Sequence, residues 1–421
     1  MIELSGIGIS KGITTGTLWF PQFNEAPDYT NMIVCVECAV PSSVMREQAS
    51  KIIGICILSE SAASHAVVLA KSMGIPAIIG VKALVPELSG KDAIIDGTTG
   101  KIYVEPDDEL IAEMGKKRDE ETHRREILQG LKGKENMTLD GRKIDILASV
   151  SNIQELGAAL ENDASGIGLF RSEFLFLEER NYPTEELQFQ YYRHILERMS
   201  GKQVVIRTFD FGWDKKPKFL KPGDEENPAM GYRGIRGCLG KPELFKVQLR
   251  ALYRASIYGN LGIMFPMVTS VDEILAAKTI IRRVKDELLA EGIKFRNDVE
   301  VGIMIETPAA ALTSDRLAKE ADFLSIGTND LTQFTLAADR ANPKLGDFYD
   351  SYHPAVLRLI KMSADNAHAN GIRIGICGEA ANDLRLIEKF IDMGIDSLSV
   401  IPNMVLPLRE KIRSIKTVRN D

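Results

Sequence analysis

The sequence predicts an α/β protein in which a C-terminal (β/α)8 TIM barrel follows a smaller N-terminal β/α domain. Eight continuous apolar runs, typical of buried parallel strands, recur along the last two thirds of the chain. Helical patterns lie between most of these runs, as a (β/α)8 barrel requires. Several runs end abruptly in polar residues, and α/β enzymes place their chemistry at that end of their strands. An open, doubly wound sheet is the structural alternative.

Each predicted strand of the barrel is followed by a loop or a helix. Pro183–Met199 opens with acidic residues, which a first helical turn favours. Asp272–Glu291 is long and has apolar residues at helical spacing. The eight predicted strands are Lys143–Val150, Gly166–Glu173, Gln203–Asp210, Leu261–Val268, Val299–Thr307, Phe323–Asp330, Ile372–Glu379 and Asp396–Pro402.

A charged stretch, Glu105–Lys134, separates the predicted barrel from the first domain. Its mixture of acids and bases with few apolar residues indicates a solvated connecting helix. The turn signal Asp96–Gly100 predicts a hairpin, and Ser64–Met73 is predicted as a helix that Gly74 stops. The first domain's predicted strands are Ile13–Phe20, Met32–Val36, Gly54–Leu58, Ala77–Gly80, Ala93–Asp96 and Lys101–Val104. We therefore expect a first domain over 1–105, a linker over 106–138 and a barrel over 139–421.

Composition excludes several classes of function. A net charge of -7 argues against general nucleic-acid binding, which needs a basic face. No apolar stretch approaches the roughly 20 residues that span a membrane. Five cysteines, an odd and widely spaced set, indicate a reducing cytoplasm rather than a disulfide framework. The pair Cys35 and Cys38 has no second pair to complete a metal site, so a structural role is expected.

Two carboxylates are candidates for a metal site. Glu306 and Asp330 end neighbouring predicted strands, so both are expected to project into the same barrel mouth. Mg²⁺ binds one or two protein carboxylates and takes its other ligands from substrate and water. The alternative is that one or both cap the helix that follows.

A set of cations surrounds this predicted metal site. An arginine in an apolar strand is costly unless it meets an anion, and guanidinium binds phosphate and carboxylate in a bidentate manner. The set predicts a substrate that carries a phosphate and a carboxylate. The alternative is structural ion pairing with Glu173, Asp210 and similar neighbours. The cations are Arg171, Arg207, Lys215, Arg233 and Arg340.

A thiol and an imidazole complete the candidates. Cys377 ends the seventh predicted strand, where flanking glycines are expected to expose it as an acid or base toward substrate carbon. His65 lies at the start of the predicted short helix, where an imidazole could accept a phosphoryl group. A buried structural cysteine and a structural histidine are the alternatives.

Four segments of the barrel together resemble the phosphoenolpyruvate-utilising enzymes, and most of all the Enzyme I branch of the bacterial sugar phosphotransferase systems. They are Gly168–Phe176, Met304–Ala310, Ser325–Gln333 and Cys377–Glu379. The helix around His65, with the following Gly74–Gly80, is similar to the swivelling phosphohistidine domain of this family.

The resemblance implies a role for each candidate residue. Glu306 and Asp330 would hold Mg²⁺, and Cys377 would protonate the enolate as pyruvate forms. His65 would accept the phosphoryl group and pass it to a carrier protein or to a small molecule. A homodimer through the barrel is also implied. Phosphoenolpyruvate would be bound by Arg171, Arg207, Lys215, Arg233, Asn329 and Arg340.

The chain departs from the family's pattern at two places. Glu60–Ala63 replaces the glycines and threonine that usually precede the serine and histidine. Only residues 21–31 separate two predicted strands where Enzyme I carries a helical subdomain that docks its carrier protein. The dikinases' ATP-binding domain is also missing, so ATP is not an expected substrate. A regulatory protein that binds phosphoenolpyruvate without turnover, and an Mg²⁺-dependent barrel lyase or aldolase, remain as alternatives.

Overall fold

The computed structural model describes residues 1–21, 31–37, 51–59, 75–81, 83–178, 181–210 and 225–417. The chain divides into two compact units, Met1–Ile127 and Leu128–Asp421. No helix within these described ranges is both long enough and apolar enough to span a bilayer.

The first unit contains an eight-stranded mixed sheet, ordered β1-β8-β7-β3-β4-β5-β6-β2. Its central strands β3 to β6 are parallel and buried on both faces. The six predicted strands are confirmed, whereas β1 and β2 were not predicted because they are short and glycine-interrupted. The helix predicted at Ser64–Met73 lies outside the described residues. The strands are β1 Ile2–Ser5, β2 Ile7–Ser10, β3 Ile13–Trp19, β4 Met32–Val36, β5 Ile52–Ile57, β6 Ala77–Ile79, β7 Asp92–Asp96 and β8 Lys101–Val104.

The predicted hairpin joins β7 to β8, which pair antiparallel. The Asp96 carboxylate accepts hydrogen bonds from the backbone N–H groups of Thr98 and Thr99, at 2.9 and 3.1 Å. Gly100 has a φ of 75°, a left-handed conformation that favours glycine. The turn chemistry therefore follows directly from this short sequence.

Helix α1, Asp108–Gln129, is the charged connecting segment. Its buried residue is Met114, which packs with Ile13, Ile94 and Tyr103 of the first unit's sheet. Most of its other side chains are exposed, as the mixed charge of this segment predicts.

The second unit is a closed barrel of eight parallel strands. Each strand pairs with the next along the chain, and β16 pairs with β9 to close the ring, which excludes the open-sheet alternative. All eight predicted strands are confirmed, although most end earlier than predicted. The strands are β9 Asp145–Val150, β10 Ile167–Arg171, β11 Gln203–Arg207, β12 Asn260–Phe265, β13 Glu300–Ile305, β14 Phe323–Ile326, β15 Arg373–Ile376 and β16 Ser397–Val400.

Helices surround the barrel, and both helices predicted in detail are confirmed as α4 and α7. At the start of α7, Ser270 and Glu273 form a reciprocal capping box. The helices are α2 Ile153–Glu161, α3 Glu173–Glu178, α4 Glu185–Arg198, α5 Gly234–Gly240, α6 Pro242–Ala255, α7 Val271–Ala290, α8 Pro308–Leu312, α9 Ser314–Leu317, α10 Thr328–Leu336, α11 Pro354–Ala369, α12 Ile387–Asp392 and α13 Val405–Ser414.

Candidate active site

A cavity of about 440 Å³ opens at the mouth of the barrel, the face formed by the carboxyl ends of its strands. His65 and Lys215, two further candidates, lie outside the described residues. All of the other sequence-predicted site residues line this cavity: Arg171, Arg207, Arg233, Glu306, Asn329, Asp330, Arg340 and Cys377.

The barrel register brings these side chains together. Arg171 and Arg207 are the last residues of β10 and β11 and are paired in register, so their side chains start from adjacent positions. Glu306 directly follows β13. Asp330 does not end a strand as predicted, because β14 stops at Ile326 and the chain turns at once into α10. Its carboxylate still reaches the mouth from the first turn of that helix.

A chain of alternating charges runs through the mouth. Arg207 Nη2 donates to Glu173 Oε1 at 3.0 Å, and its Nη1 lies 3.5 Å from Asp210 Oδ2. Arg233 binds Asp210 through two hydrogen bonds of 2.9 and 2.6 Å, and its Nη1 lies 3.4 Å from Asp330. We call Glu173, Arg207, Asp210, Arg233, Glu306 and Asp330 the mouth cluster.

The mouth cluster shows that an arginine here can both form structural ion pairs and line the substrate cavity. Arg207 and Arg233 do form the structural ion pairs of the alternative reading, yet both also line the cavity. The sequence predicts Glu173 and Asp210 only as competing partners of the arginines. Their fixed positions instead hold the guanidinium groups in place, and the signal for this was their position just after two strands that end in arginine.

The mouth cluster is not internally satisfied. Arg207 Nε and Glu173 Oε2 are buried and have no hydrogen-bond partner among the described residues. Burial opposes the charge of Arg207, but the carboxylates of Glu173 and Asp210 outweigh it and raise its pKa. Buried polar groups without partners are rare in native proteins. Arg207 therefore stays cationic, and its Nε is a buried donor that no described protein group uses.

Glu306 and Asp330 meet the requirements of a divalent-cation site. Glu306 is 1% exposed, and its Oε1 accepts a hydrogen bond of 2.7 Å from the backbone N–H of Met267. Burial first, and then the charges of Asp330 and Asp210, raise the pKa of Glu306. A cation between the carboxylates would relieve this repulsion. A Cβ on Gly327 would lie 2.8 Å from Glu306 Oε2, so a glycine keeps this position open.

Protein ligands alone do not complete such a site. Within the described ranges there is no group of three or more His, Cys, Asp and Glu residues that could hold a metal ion. Mg²⁺ commonly binds through one or two carboxylates and completes its shell with substrate oxygens and water. The pair of carboxylates therefore fits this metal better than one that needs a full protein cage.

Cys377 follows β15 and faces the mouth cavity, although only 3% of its surface is exposed. Burial raises the pKa of its thiol to about 11, while a hydrogen bond with the Ser325 side chain opposes this rise. The sulfur therefore carries its proton at neutral pH. A protonated thiol facing an anionic substrate site can act as a general acid.

Asn329 is oriented by its neighbours. Its Oδ1 accepts a hydrogen bond of 2.8 Å from the backbone N–H of Glu379, which leaves Nδ2 as a donor. Tyr349 Oη donates to the Asn329 carbonyl at 3.1 Å. A Cβ on Gly378 would collide with Thr328 Oγ1, so a glycine allows this close approach of the two loops. Arg340 lies exposed at the rim of the mouth.

Comparison with known proteins gives a consistent result. The model of the PEP-utilising enzyme, PEP-binding domain, matches residues 125–417, and that of the mobile domain matches residues 29–100. Phosphoenolpyruvate-protein phosphotransferase of Staphylococcus carnosus is 43% identical over 353 residues, which are 84% of this chain and 62% of that protein. The protein of the same name from Geobacillus stearothermophilus is 40% identical over 385 residues, 91% of this chain and 67% of that protein.

Among solved structures, malate synthase of Haloferax volcanii with magnesium and glyoxylate has a TM-score of 0.41 at 14% identity. It covers 66% of this chain and 76% of that one, a likeness too low to carry a functional argument. The chain spans roughly three fifths to two thirds of the length of the curated relatives. With a family model matching most of its length, the chain belongs to the phosphoenolpyruvate-utilising enzymes.

Proposed function

We propose that the barrel removes the phosphoryl group of phosphoenolpyruvate and that His65, on the first domain, accepts it, leaving pyruvate. One observation carries this proposal: a single cavity is lined by four arginines, four carboxylates and a protonated thiol. In this assignment residues 1–105 carry the phosphohistidine, residues 106–138 connect the domains, and residues 139–421 bind phosphoenolpyruvate.

The arginines supply the charge that phosphoryl transfer needs. The transferred group spreads negative charge over its equatorial oxygens, and catalysis consists mainly of positioning and of neutralising that charge. Arg207 is held rigidly by Glu173 and Asp210 yet keeps an unused donor at Nε. Arg171, Arg233, Arg340 and Asn329 line the same cavity and are further candidate ligands of the substrate. Lys215, which lies outside the described residues, is another candidate.

Glu306 and Asp330 are proposed to hold Mg²⁺. When bound, this ion would neutralise charge on the phosphate and on the enolate that departs. Repulsion between the two carboxylates disfavours the form in which both are ionised and no cation lies between them. The support for Mg²⁺ over other divalent ions is the hard oxygen character of the two ligands.

Cys377 is proposed to deliver the proton to C3 of the enolate. Its thiol is protonated at neutral pH because burial raises its pKa to about 11. Protonation at carbon converts the enolate to pyruvate, which favours the preceding transfer. The thiol thus acts after the phosphoryl group has moved to His65.

The onward acceptor is proposed to be a histidine of a carrier protein or a small molecule. A protein acceptor is favoured by the relatives, which are named phosphoenolpyruvate-protein phosphotransferases. A small molecule is favoured by the short link over residues 21–31, which replaces the usual docking subdomain. We also propose a homodimer through the barrel, which sedimentation equilibrium tests: a monomer at all concentrations would contradict it.

The phosphohistidine is tested with labelled phosphoenolpyruvate and Mg²⁺. We expect acid-labile label on the wild-type protein and none on His65→Ala. His194→Ala, which changes an exposed histidine of α4, is the matched control and should retain the label. Unlabelled wild-type protein, or label that persists in His65→Ala, would overturn the proposal. Carrier proteins and then cell metabolites, added to the labelled protein, would identify the acceptor.

A further inference from the structure

The interior of the barrel is polar on one side, between Cys377 and the amino-terminal ends of the strands. On the other side the inward-facing side chains are apolar, and Leu169, Val205, Met264, Met304 and Phe323 cluster with Cys377. Such a packed interior of large apolar side chains is usual for this fold. A small cavity beside the cluster is bordered in part by Leu147, Val205, Phe323 and Leu324, and in part by three serines and two glycines: Ser325, Ser397, Ser399, Gly168 and Gly375.

The strand register stacks these residues in levels. Ser325, Gly375 and Ser397 are paired across β14, β15 and β16 and so lie side by side. Continuing the same register by two residues brings Ser399 level with Cys377. A Cβ on Gly375 would collide with Ser397 Oγ, and one on Gly168 with Ser399 Oγ. The glycines therefore make room for two hydroxyl groups inside the barrel.

The space between these groups is the size of one water molecule. The cavity has a volume of about 20 Å³, and a site needs about 10–15 Å³ on this measure to hold a water. Three hydroxyl groups surround it, which is enough to bind a water by hydrogen bonds. Buried hydroxyls cost roughly 1–3 kcal/mol when they lack partners, so a dry cavity here would be unfavourable.

The cavity leads away from the mouth, toward the opposite face of the barrel. Gln203 and Arg373 border it at the amino-terminal ends of their strands. Gln203 Nε2 donates to Glu300 Oε2 at 3.1 Å, and Arg373 forms an ion pair with the same carboxylate. The side chains of Arg373 and Glu300 are 40% and 36% exposed. Polar groups therefore connect the buried cavity with solvent.

At its upper end the cavity meets Cys377 through Ser325. The Ser325 side chain lies close to the Cys377 sulfur, whose thiol donates to the Ile326 carbonyl at 3.6 Å. Both residues are less than a tenth exposed. After a thiol has given up its proton inside such an environment, another proton has to reach the sulfur. The mouth is the alternative route, but substrate or product occupies it during turnover.

We propose that Ser325, Ser397 and Ser399, with one water between them, form the path by which Cys377 regains its proton from the face of the barrel opposite the substrate. This path rests on the proposed function. The S–H bond of Cys377 breaks as its proton forms a C–H bond at C3 of the enolate, and the electron pair stays on sulfur. Ser325 then gives its hydroxyl proton to the sulfur and takes one from the water.

The water is reprotonated in turn from solvent near Gln203 and Arg373. One proton enters from solvent for each pyruvate formed, and no oxidation or reduction occurs. In this scheme Ser325 is a positioning and relay residue that does not contact substrate. Its loss should spare the first turnover, which uses the proton already on Cys377, and slow the turnovers that follow.

The experiment follows the proton itself. Protein equilibrated in H₂O is mixed with phosphoenolpyruvate and Mg²⁺ in D₂O, so that substrate or product occupies the mouth while the Cys377 proton is replaced. Rapid quenching and mass spectrometry of pyruvate then report, turnover by turnover, when the methyl group gains D in place of H. We expect Ser325→Ala to replace the Cys377 proton at least tenfold more slowly than the wild type. Its first-turnover burst should keep full amplitude while steady-state turnover falls at least tenfold.

Two further variants keep the result decisive. Ser397→Ala interrupts the path one step farther from the sulfur and should also slow exchange. Ser363→Ala removes a buried hydroxyl of α11 that donates to the Leu359 carbonyl, outside the barrel interior, and should behave like the wild type.

The outcomes separate the path from the function on which it rests. If the wild type forms pyruvate but Ser325→Ala exchanges as fast as Ser363→Ala, the path is wrong and the proton arrives through the mouth. If the wild type forms neither pyruvate nor phosphoprotein, the proposed function fails and the path fails with it. Slow exchange in both path variants, with an intact burst, supports the proposal.

Discussion

Two buried arginine clusters at different places in the barrel unit differ in one respect. In the anchor cluster, formed by Arg409, Asp163 and Asn136, Arg409 is 2% exposed and every guanidinium nitrogen has a protein partner. In the mouth cluster the Arg207 side chain is 11% exposed, and its buried Nε has no partner among the described residues. Arg409 therefore ties segments of the fold together, whereas Arg207 lines a cavity and has one buried donor that the described protein groups do not use.

The surroundings of the clusters differ in the same way. Arg409 joins helix α13 to residues 131–136 and to the loop after α2, segments far apart in sequence. It thereby fixes where the chain enters the barrel. The mouth cluster places four carboxylates and two guanidinium groups beside or around a cavity, where burial first and then neighbouring carboxylates raise the pKa of Glu306. We expect a bound cation or anion to stabilise this arrangement more than its internal ion pairs do.

The largest expected effect is a loss of activity without a loss of stability. Arg171 lines the cavity beside Arg207, and no ion pair of its side chain occurs among the described residues. Arg171→Met should lower the rate of phosphoenolpyruvate-dependent labelling on the order of 10³-fold, as removal of an arginine does in phosphoryl transfer. Rapid-quench labelling measures the rate, and denaturant unfolding should show a free-energy change within about 0.5 kcal/mol.

An unfolding free energy that fell in proportion to the activity would contradict this assignment. It would show that Arg171 is a structural residue like Arg409. Arg316→Met, at the end of the short helix α9 and away from the cavity, is a matched control that should keep full activity.

The second prediction is a loss of stability without a loss of activity. Arg409→Met removes a fully paired, buried guanidinium and leaves several acceptors without donors. Unfolding in denaturant should become easier by about 3–5 kcal/mol. Phosphoryl transfer per folded molecule, measured well below the melting temperature, should not change. Arg413→Met on the same helix, with an exposed side chain and one bond to the Glu135 carbonyl, should cost less than about 0.5 kcal/mol.

The sequence predicts the barrel and most of its mouth because both depend on local patterns. A strand buried on both faces is a continuous apolar run, and polar residues after it must lie at the strand's end. The exact end of a strand does not follow from the run alone: the pattern predicts that Asp330 ends β14, whereas it lies in the first turn of α10. The anchor cluster could not be predicted, since Arg409 and Asp163 are brought together by closure of the barrel. Ser325 was visible only as a polar residue within an apolar run.

The smallest expected effect is a pH dependence, and it tests whether the mouth cluster really awaits a cation. Because the pKa of Glu306 is raised above its unfolded value of about 4.3 by burial and by neighbouring carboxylates, the folded state binds a proton there more tightly than the unfolded state. The resulting stability is fully present below the unfolded pKa and is lost as pH rises through the raised value near 8. A divalent cation would replace that proton.

Mg²⁺ should therefore raise the melting temperature more at pH 8.5 than at pH 6, by a few degrees, while Glu306→Gln should respond little at either pH. Without Mg²⁺, the variant should gain on the wild type as pH rises, because its neutral amide escapes the repulsion from Asp330 and Asp210. Differential scanning calorimetry measures both trends, and Glu410→Gln, on helix α13 away from the mouth, controls for the loss of one carboxylate. If Mg²⁺ raised the melting temperature equally at both pH values, the repulsion between the carboxylates would not drive metal binding. The contrast between the mouth cluster and the anchor cluster would then depend only on the hydrogen bonding of their arginines.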